Sequence, residues 1–306
     1  MADIAVKFRH LRTLVEVARQ QSVGRAAEVL HVSQPAVTKT LRELEAAVGA
    51  KLIERDGRGI RFTQYGEVFL GHAGASLAAI QRGIDSVVRA RANSEPPLRV
   101  GALPTVSARI MPGAIEQFLA LRSGTPIKIV TGENVALLEQ LRLGELDLVV
   151  GRLAAPEQMK GLNFAHLYAE RVVFAVRKGH PLLSSRRLDF SRIRDFTVLM
   201  PTEGSIIRPF VERFLIAHGI ADIPVEIETI SDSFGRAMIR HSDCIWIISE
   251  GVVAPERDAG ELDVLPIDTS ETRGAVGLTT RAGVPGAPAA DLLARCIQET
   301  VGALNL

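Results

Sequence analysis

The chain has 306 residues, more than one folding unit usually holds, so two or three units with separate cores are expected. A net charge of +1 argues against nucleic acid as a partner of the chain taken whole, yet residues 1–63 hold eleven Lys and Arg against seven acids, a local surplus of four. Two cysteines, Cys244 and Cys296, exclude a disulfide framework and match no zinc spacing, and neither an apolar leader nor a run of about 20 apolar residues is present, which points to a soluble cytoplasmic chain without membrane contact.

Phe8, Leu11, Leu14, Val15 and Ala18 form one apolar stripe and predict a helix over 8–20. Ser22 is placed to cap a second helix carrying Ala26, Ala27 and Leu30, and Ser33 a third through Val37, Leu41, Leu44 and Val48, stopped by Gly49. Only His31 and Val32 separate the second helix from the third cap, so the two meet at a large angle, as in a helix-turn-helix. Residues 52–63 read as two short strands around Asp56-Gly57-Arg58-Gly59, a basic hairpin that forms a wing. Thr63 caps a long helix to about Arg91, with Phe69, Ala73, Leu77, Ile80, Ile84 and Val87 on one stripe. That stripe packs either against a second copy, giving a dimer, or against its own chain.

Asn93-Ser94-Glu95-Pro96-Pro97 marks a linker. Strand over 98–102, helix over 107–120, strand over 127–131, helix over 134–143 and strand over 146–150 follow, an alternation that predicts a parallel sheet with crossover helices. It resumes with strands at 172–176 and 197–200, a helix over 205–218, a strand at 225–229, a helix over 232–241 and a strand at 244–249. Residues 275–280 read as a strand returning toward the first half, and 289–303 as a closing helix. Two α/β lobes joined by crossing strands enclose a cleft, and ligands of such folds sit at strand ends and helix starts facing it.

The run Ala26-Ala-Glu-Val-Leu-His-Val-Ser-Gln-Pro-Ala-Val-Thr-Lys-Thr-Leu-Arg-Glu-Leu-Glu, then Val48-Gly-Ala-Lys-Leu-Ile-Glu-Arg, Thr63 and Gly66, resembles the DNA-binding signature of LysR-type transcription regulators. Gly144-Glu-Leu-Asp-Leu and Arg177-Lys-Gly-His-Pro-Leu resemble recurrent stretches of that family's effector domain. The resemblance covers the whole chain. It implies a winged helix-turn-helix over 1–63, a linker and dimerisation helix over 64–92, and a two-lobed, periplasmic-binding-protein-like α/β effector domain over 93–306. The partners it implies are promoter DNA, a small carboxylate effector, further copies of the chain in a homodimer or homotetramer, and RNA polymerase, with no cofactor. Val100-Gly-Ala-Leu-Pro-Thr-Val-Ser, Val130-Thr-Gly-Glu-Asn, Val149-Val-Gly-Arg-Leu-Ala-Ala-Pro-Glu and Ile230-Ser-Asp-Ser-Phe-Gly-Arg resemble members that activate genes for protocatechuate breakdown, whose effector is a carboxylated muconate. A sugar-responsive member shares several of these runs, so both effector classes stay open.

On this reading Ser33, Gln34, Pro35, Ala36, Thr38 and Lys39 occupy the first turns of the recognition helix, the part that enters the major groove. Gln34 is suited to pair with adenine, and Thr38 and Lys39 to reach base edges or phosphate; Ser33 serves equally as a cap. Arg42 falls on backbone phosphate, and Arg55 and Arg58, with Arg61 beside them, on phosphates or the minor groove at the wing. For the effector, Thr105 and Ser107 begin one helix, Asn134 opens the next, and Arg152 follows a strand where it would pair with a carboxylate. Thr202, Ser205, Ser233 and Phe234 occupy matching edges of the second lobe, although Ser and Thr at helix starts are also ordinary caps and Arg152 also suits a bridge between lobes. An enzyme reading finds no nucleophile elbow, phosphate loop or metal-spaced His pair, and His241-x-x-Cys244 is weak. A redox sensor built on Cys244 and Cys296, or a non-enzymatic solute-binding module, are further alternatives.

Overall fold

The N-terminal helices are short because each meets a capping residue. α1 (Phe8–Gln20) ends at Gln21 in the left-handed region, φ 49°. Ser22 then accepts from the Arg25 amide to start α2 (Val23–Leu30), and Ser33 accepts from the Ala36 amide to start α3 (Gln34–Val48). Gly49, at φ 76°, closes α3. Leu14, Val17, Ala26, Val37 and Leu44 interlock where α1 meets α2 and α3. Val17 is fully buried and Phe8 is exposed, so the buried face of α1 lies to one side of the expected stripe, because α4 also packs on α1. Strands β1 (Ile53–Asp56) and β2 (Gly59–Phe62) pair antiparallel, Arg55 opposite Ile60, as the wing. α4 (Gln64–Ala90) follows, started by Thr63, whose Oγ1 accepts from the Gly66 amide at 3.0 Å.

The computed structural model describes residues 6–56, 59–90, 96–121, 124–184 and 188–306; Gly57 and Arg58 of the wing turn and Asn93-Ser94-Glu95 of the linker lie outside the described residues. The chain forms two compact units, one of residues 1–96 with 139–146, the other of 97–138 with 147–306.

In the second unit, β3 (Leu98–Ala102) pairs parallel with β4 (Ile127–Thr131) and β5 (Leu148–Arg152). Between them run α5 (Pro104–Arg109), α6 (Met111–Leu121) and α7 (Asn134–Arg142), of which residues 134–138 belong to this unit. The single helix expected over 107–120 is thus two, broken at Ile110, because Pro112 lacks an amide to continue the ladder and disfavours helical geometry at the residue before it. β6 (Leu162–Glu170) and β12 (Gly274–Arg281) add antiparallel, giving the order β4-β3-β5-β12-β6. The second lobe has the order β11-β7-β10-β8-β9, from β7 (Val172–Arg177), β8 (Val198–Met200), β9 (Glu226–Glu228), β10 (Ile245–Ser249) and β11 (Leu262–Val264). α8 (Arg208–Ala217), α9 (Asp232–His241), α10 (Glu250–Asp258) and α11 (Pro288–Ala303) complete the unit. Both sheets are mixed: parallel centres carry antiparallel strands where the chain crosses between lobes, at 170–172 and again at 264–274. Each lobe holds its own core, Phe118 and Ile297 in the first, Phe174 and Phe214 in the second.

Candidate nucleic-acid interface and effector cleft

α3 divides by burial. Val37, Leu41 and Leu44 face the core, while Ser33, Gln34, Pro35, Ala36, Lys39 and Arg42 are exposed, with Thr38 half-buried. Gln34, Pro35, Thr38, Lys39 and Arg42 together line a shallow concavity on the outer face. Thr38 donates its hydroxyl to the Gln34 carbonyl at 3.1 Å, so its methyl is the group left for a base edge. Glu43, the acid beside these cations, is withdrawn by Arg9 at 2.8 Å and His10 at 3.3 Å; the bond from Arg9, seconded by His10, holds its carboxyl below the usual range. Glu43 is thus paired with α1, leaving Lys39 and Arg42 as the exposed cations of the concavity.

The wing is fastened to α3 by a residue that periodicity did not single out. Glu45 Oε1 accepts from the amides of Leu52 at 2.9 Å and Ile53 at 3.3 Å, and its other oxygen pairs with Lys51 at 3.2 Å. Thr63 donates to the Lys51 carbonyl at 2.7 Å, and the Gly66 backbone lies so close to the Leu52 carbonyl that a Cβ has no room there. Arg55 sits in β1; Arg58 lies outside the described residues; Arg61 pairs with Glu54 across the wing at 3.2 Å.

A cavity of about 370 Å³ opens between the two α/β lobes. Of the expected effector residues, Ser107, Asn134, Thr202, Ser205 and Ser233 line it, alongside Thr131, Thr229 and Ser231. Asn134 is 1% exposed, and neither its amide nitrogen nor its oxygen has a hydrogen-bond partner among the described residues. The two acids in the lining are Glu133 and Asp232, and no Lys, Arg or His belongs to it among the described residues. Burial pushes the Asp232 carboxyl up, against the pull of Arg236.

Three expected effector residues lie elsewhere. Arg152 is 4% exposed and donates from Nη2 to the carbonyls of Glu170 at 2.6 Å and Thr272 at 2.7 Å, its guanidinium 5.1 Å from the centre of the Phe210 ring. Through Nη2 it ties together the two chain segments that cross between lobes; Nε and Nη1 have no partner among the described residues, and Arg152 is not part of the cavity lining. Thr105 is turned inward to Glu170, its hydroxyl 2.7 Å from both carboxyl oxygens, while the Gly251 amide donates to Oε1 at 2.7 Å. Burial is the main influence on Glu170 and raises its pKa despite these bonds and Arg152. Phe234 projects to solvent, 40% exposed, and is not in the cavity wall.

The remaining motif residues have structural roles. Asp147 accepts from the Arg99 amide at 2.8 Å, joining β3 to the approach of β5, and buried His180 engages the Asp243 carbonyl at 3.0 Å and the Leu182 amide at 3.2 Å. Both cysteines are buried and burial raises both thiols, the reverse of what a reactive thiolate needs.

Comparison with known proteins gives two family matches along the chain. Residues 8–67 match the family model of the bacterial regulatory helix-turn-helix protein, lysR family, and residues 91–302 match the LysR substrate binding domain. The chain is 59% identical to the HTH-type transcriptional regulator PcaQ of Agrobacterium fabrum over 99% of this chain and 98% of that one. It is 35% identical to the uncharacterized regulator YdcI of Escherichia coli, over 97% of this chain and 96% of the relative. A full-length OxyR variant from Pseudomonas aeruginosa superposes with a TM-score of 0.59 at 26% identity, covering 96% of this chain and 95% of that one. A capped recognition helix with a fastened wing, followed by two α/β lobes around a cavity, thus meets a sequence match along nearly its full length, and the chain belongs to the LysR family of transcription regulators.

Proposed function

We propose that this regulator activates genes of protocatechuate breakdown, working in the cytoplasm as a homodimer or homotetramer that acts with RNA polymerase at promoter DNA. The N-terminal residues of α3 read base edges in the major groove, Gln34 foremost, while Arg42, Arg55 and Arg58 meet phosphate. The effector is a small carboxylate of the carboxymuconate type, bound between the lobes by Ser107, Asn134, Thr202, Ser205 and Ser233. It favours one arrangement of the bound assembly over another because it binds that arrangement more tightly.

The observation that carries the cleft reading is Asn134. A buried amide with no partner costs roughly 1–3 kcal/mol, and a ligand carrying both donor and acceptor groups removes that cost. A second reading, a neutral sugar, is favoured by one feature: the lining has many hydroxyls, two acids and no Lys, Arg or His among the described residues. Calorimetry with carboxymuconate, protocatechuate and a panel of sugars separates them. Heat with carboxymuconate that disappears in Asn134→Leu supports the first reading; heat with sugars only overturns it.

A further inference from the structure

Glu133 stands between β4 and α7 on the wall of the cavity. Its Oε1 accepts from Thr202 Oγ1 at 3.1 Å, a hydrogen bond from the first lobe to the second. A Cβ placed on Gly204 would be 2.7 Å from its Oε2, so the carboxylate also lies flat against the backbone of the turn that leads into α8. Ser205, in that turn, lines the same wall, and Asn134, the next residue along, is the buried amide without a partner. With no Lys, Arg or His in the lining among the described residues, a carboxylate in this cavity depends on hydroxyls, backbone amides and the Asn134 side-chain amide for its hydrogen bonds. One of those hydroxyls, Thr202 Oγ1, already donates to the Glu133 carboxylate.

We propose that Glu133 is a built-in competitor of the effector and sets its specificity: the Glu133 carboxylate occupies the donor Thr202 Oγ1 and the space beside Gly204 that an effector carboxylate takes over, and effector binding expels it. The inference rests on the carboxylate reading of the cleft. It makes each binding event an exchange of one anion for another, with the cross-lobe bond from Thr202 to Glu133 broken in the process. A neutral ligand leaves Glu133 in place and meets no repulsion.

The test is calorimetric titration of the full chain with 3-carboxymuconate and with the neutral trimethyl ester of the same acid. Glu133→Gln keeps the size of the side chain and removes its charge, so it should tighten the Kd for the free acid by about tenfold, the effect expected for removing a like charge within a few Å. Binding of the ester should stay unchanged. Thr202→Val, which removes a donor used by both anions, should weaken binding of the free acid. Glu133→Ala, the second variant, removes the competing group altogether and carries the same expected sign as Glu133→Gln. If wild type binds the acid and both Glu133 variants bind it equally or more weakly, the competitor role is overturned while the cleft reading stands. If wild type gives no heat with the acid but does so with sugars, the cleft reading falls and takes this inference with it.

Discussion

Gln34 and Asn134 carry the same amide in opposite settings. Gln34 is exposed on α3, where an unoccupied donor and acceptor cost nothing in water; Asn134 is buried, where they are costly. Asn134→Leu, close to isosteric, should therefore raise the melting temperature by a few degrees, since about 1 kcal/mol shifts a unit of this size by roughly 2–4 °C. The same change should abolish effector binding, and scanning calorimetry beside titration reads both. Gln34→Ala should relax sequence choice, at a cost of about 1–3 kcal/mol on the cognate site alone, whereas Arg42→Ala should weaken all sites alike and lower the salt slope by about 1. Fluorescence anisotropy at several salt concentrations distinguishes the two patterns. Glu170 offers a pH test. Its pKa is raised in the folded chain, so above the ordinary carboxyl range the unfolded state sheds its proton first and stability falls as pH rises toward the folded value. Glu170→Gln should thus gain on wild type in melting temperature as pH rises above the ordinary carboxyl range; a difference that stays constant with pH would contradict the shift.

At the scale of elements, the wing is held to α3 through the Glu45 carboxylate. Glu45 supplies an acceptor for both amides at its root. Glu45→Ala should cost roughly 1–3 kcal/mol, and, because the wing loses its fixed height above α3, it should weaken DNA binding more than an exposed substitution such as Glu28→Ala. Equal effects of the two would deny Glu45 that role. The capped helices, the hairpin and most strands were legible because capping residues and apolar spacing are local signals. β6 was not: its register against β12 shifts at Val276/Gly277, so the alternation of Asn163, Phe164, Ala165 and His166 does not continue into Tyr168. α10 was hidden by Gly251 and Pro255, which in sequence look like a turn. Along the α4 stripe, Ala73 is buried in its own unit, while Ile80, Ile84 and Val87 are exposed.

At the scale of the molecule, the recognition surface was more legible than the effector site. α3 is a contiguous segment whose inward and outward residues follow from its period; the cavity is assembled from five separated stretches, and spacing does not reveal which way Thr105 or Arg152 turns. Glu133 escaped notice for the same reason, since its partner Thr202 is far away in sequence and belongs to the other lobe. On the proposed function, a ligand bound between the lobes changes how α3 and the wing of the assembled regulator sit on promoter DNA. The most direct measurement is a hydroxyl-radical footprint of the promoter with wild type and with Asn134→Leu, each with and without carboxymuconate. Both proteins should protect the same site alone, and the effector should alter the wild-type footprint only. An effector-dependent footprint that persists unchanged in Asn134→Leu would contradict it.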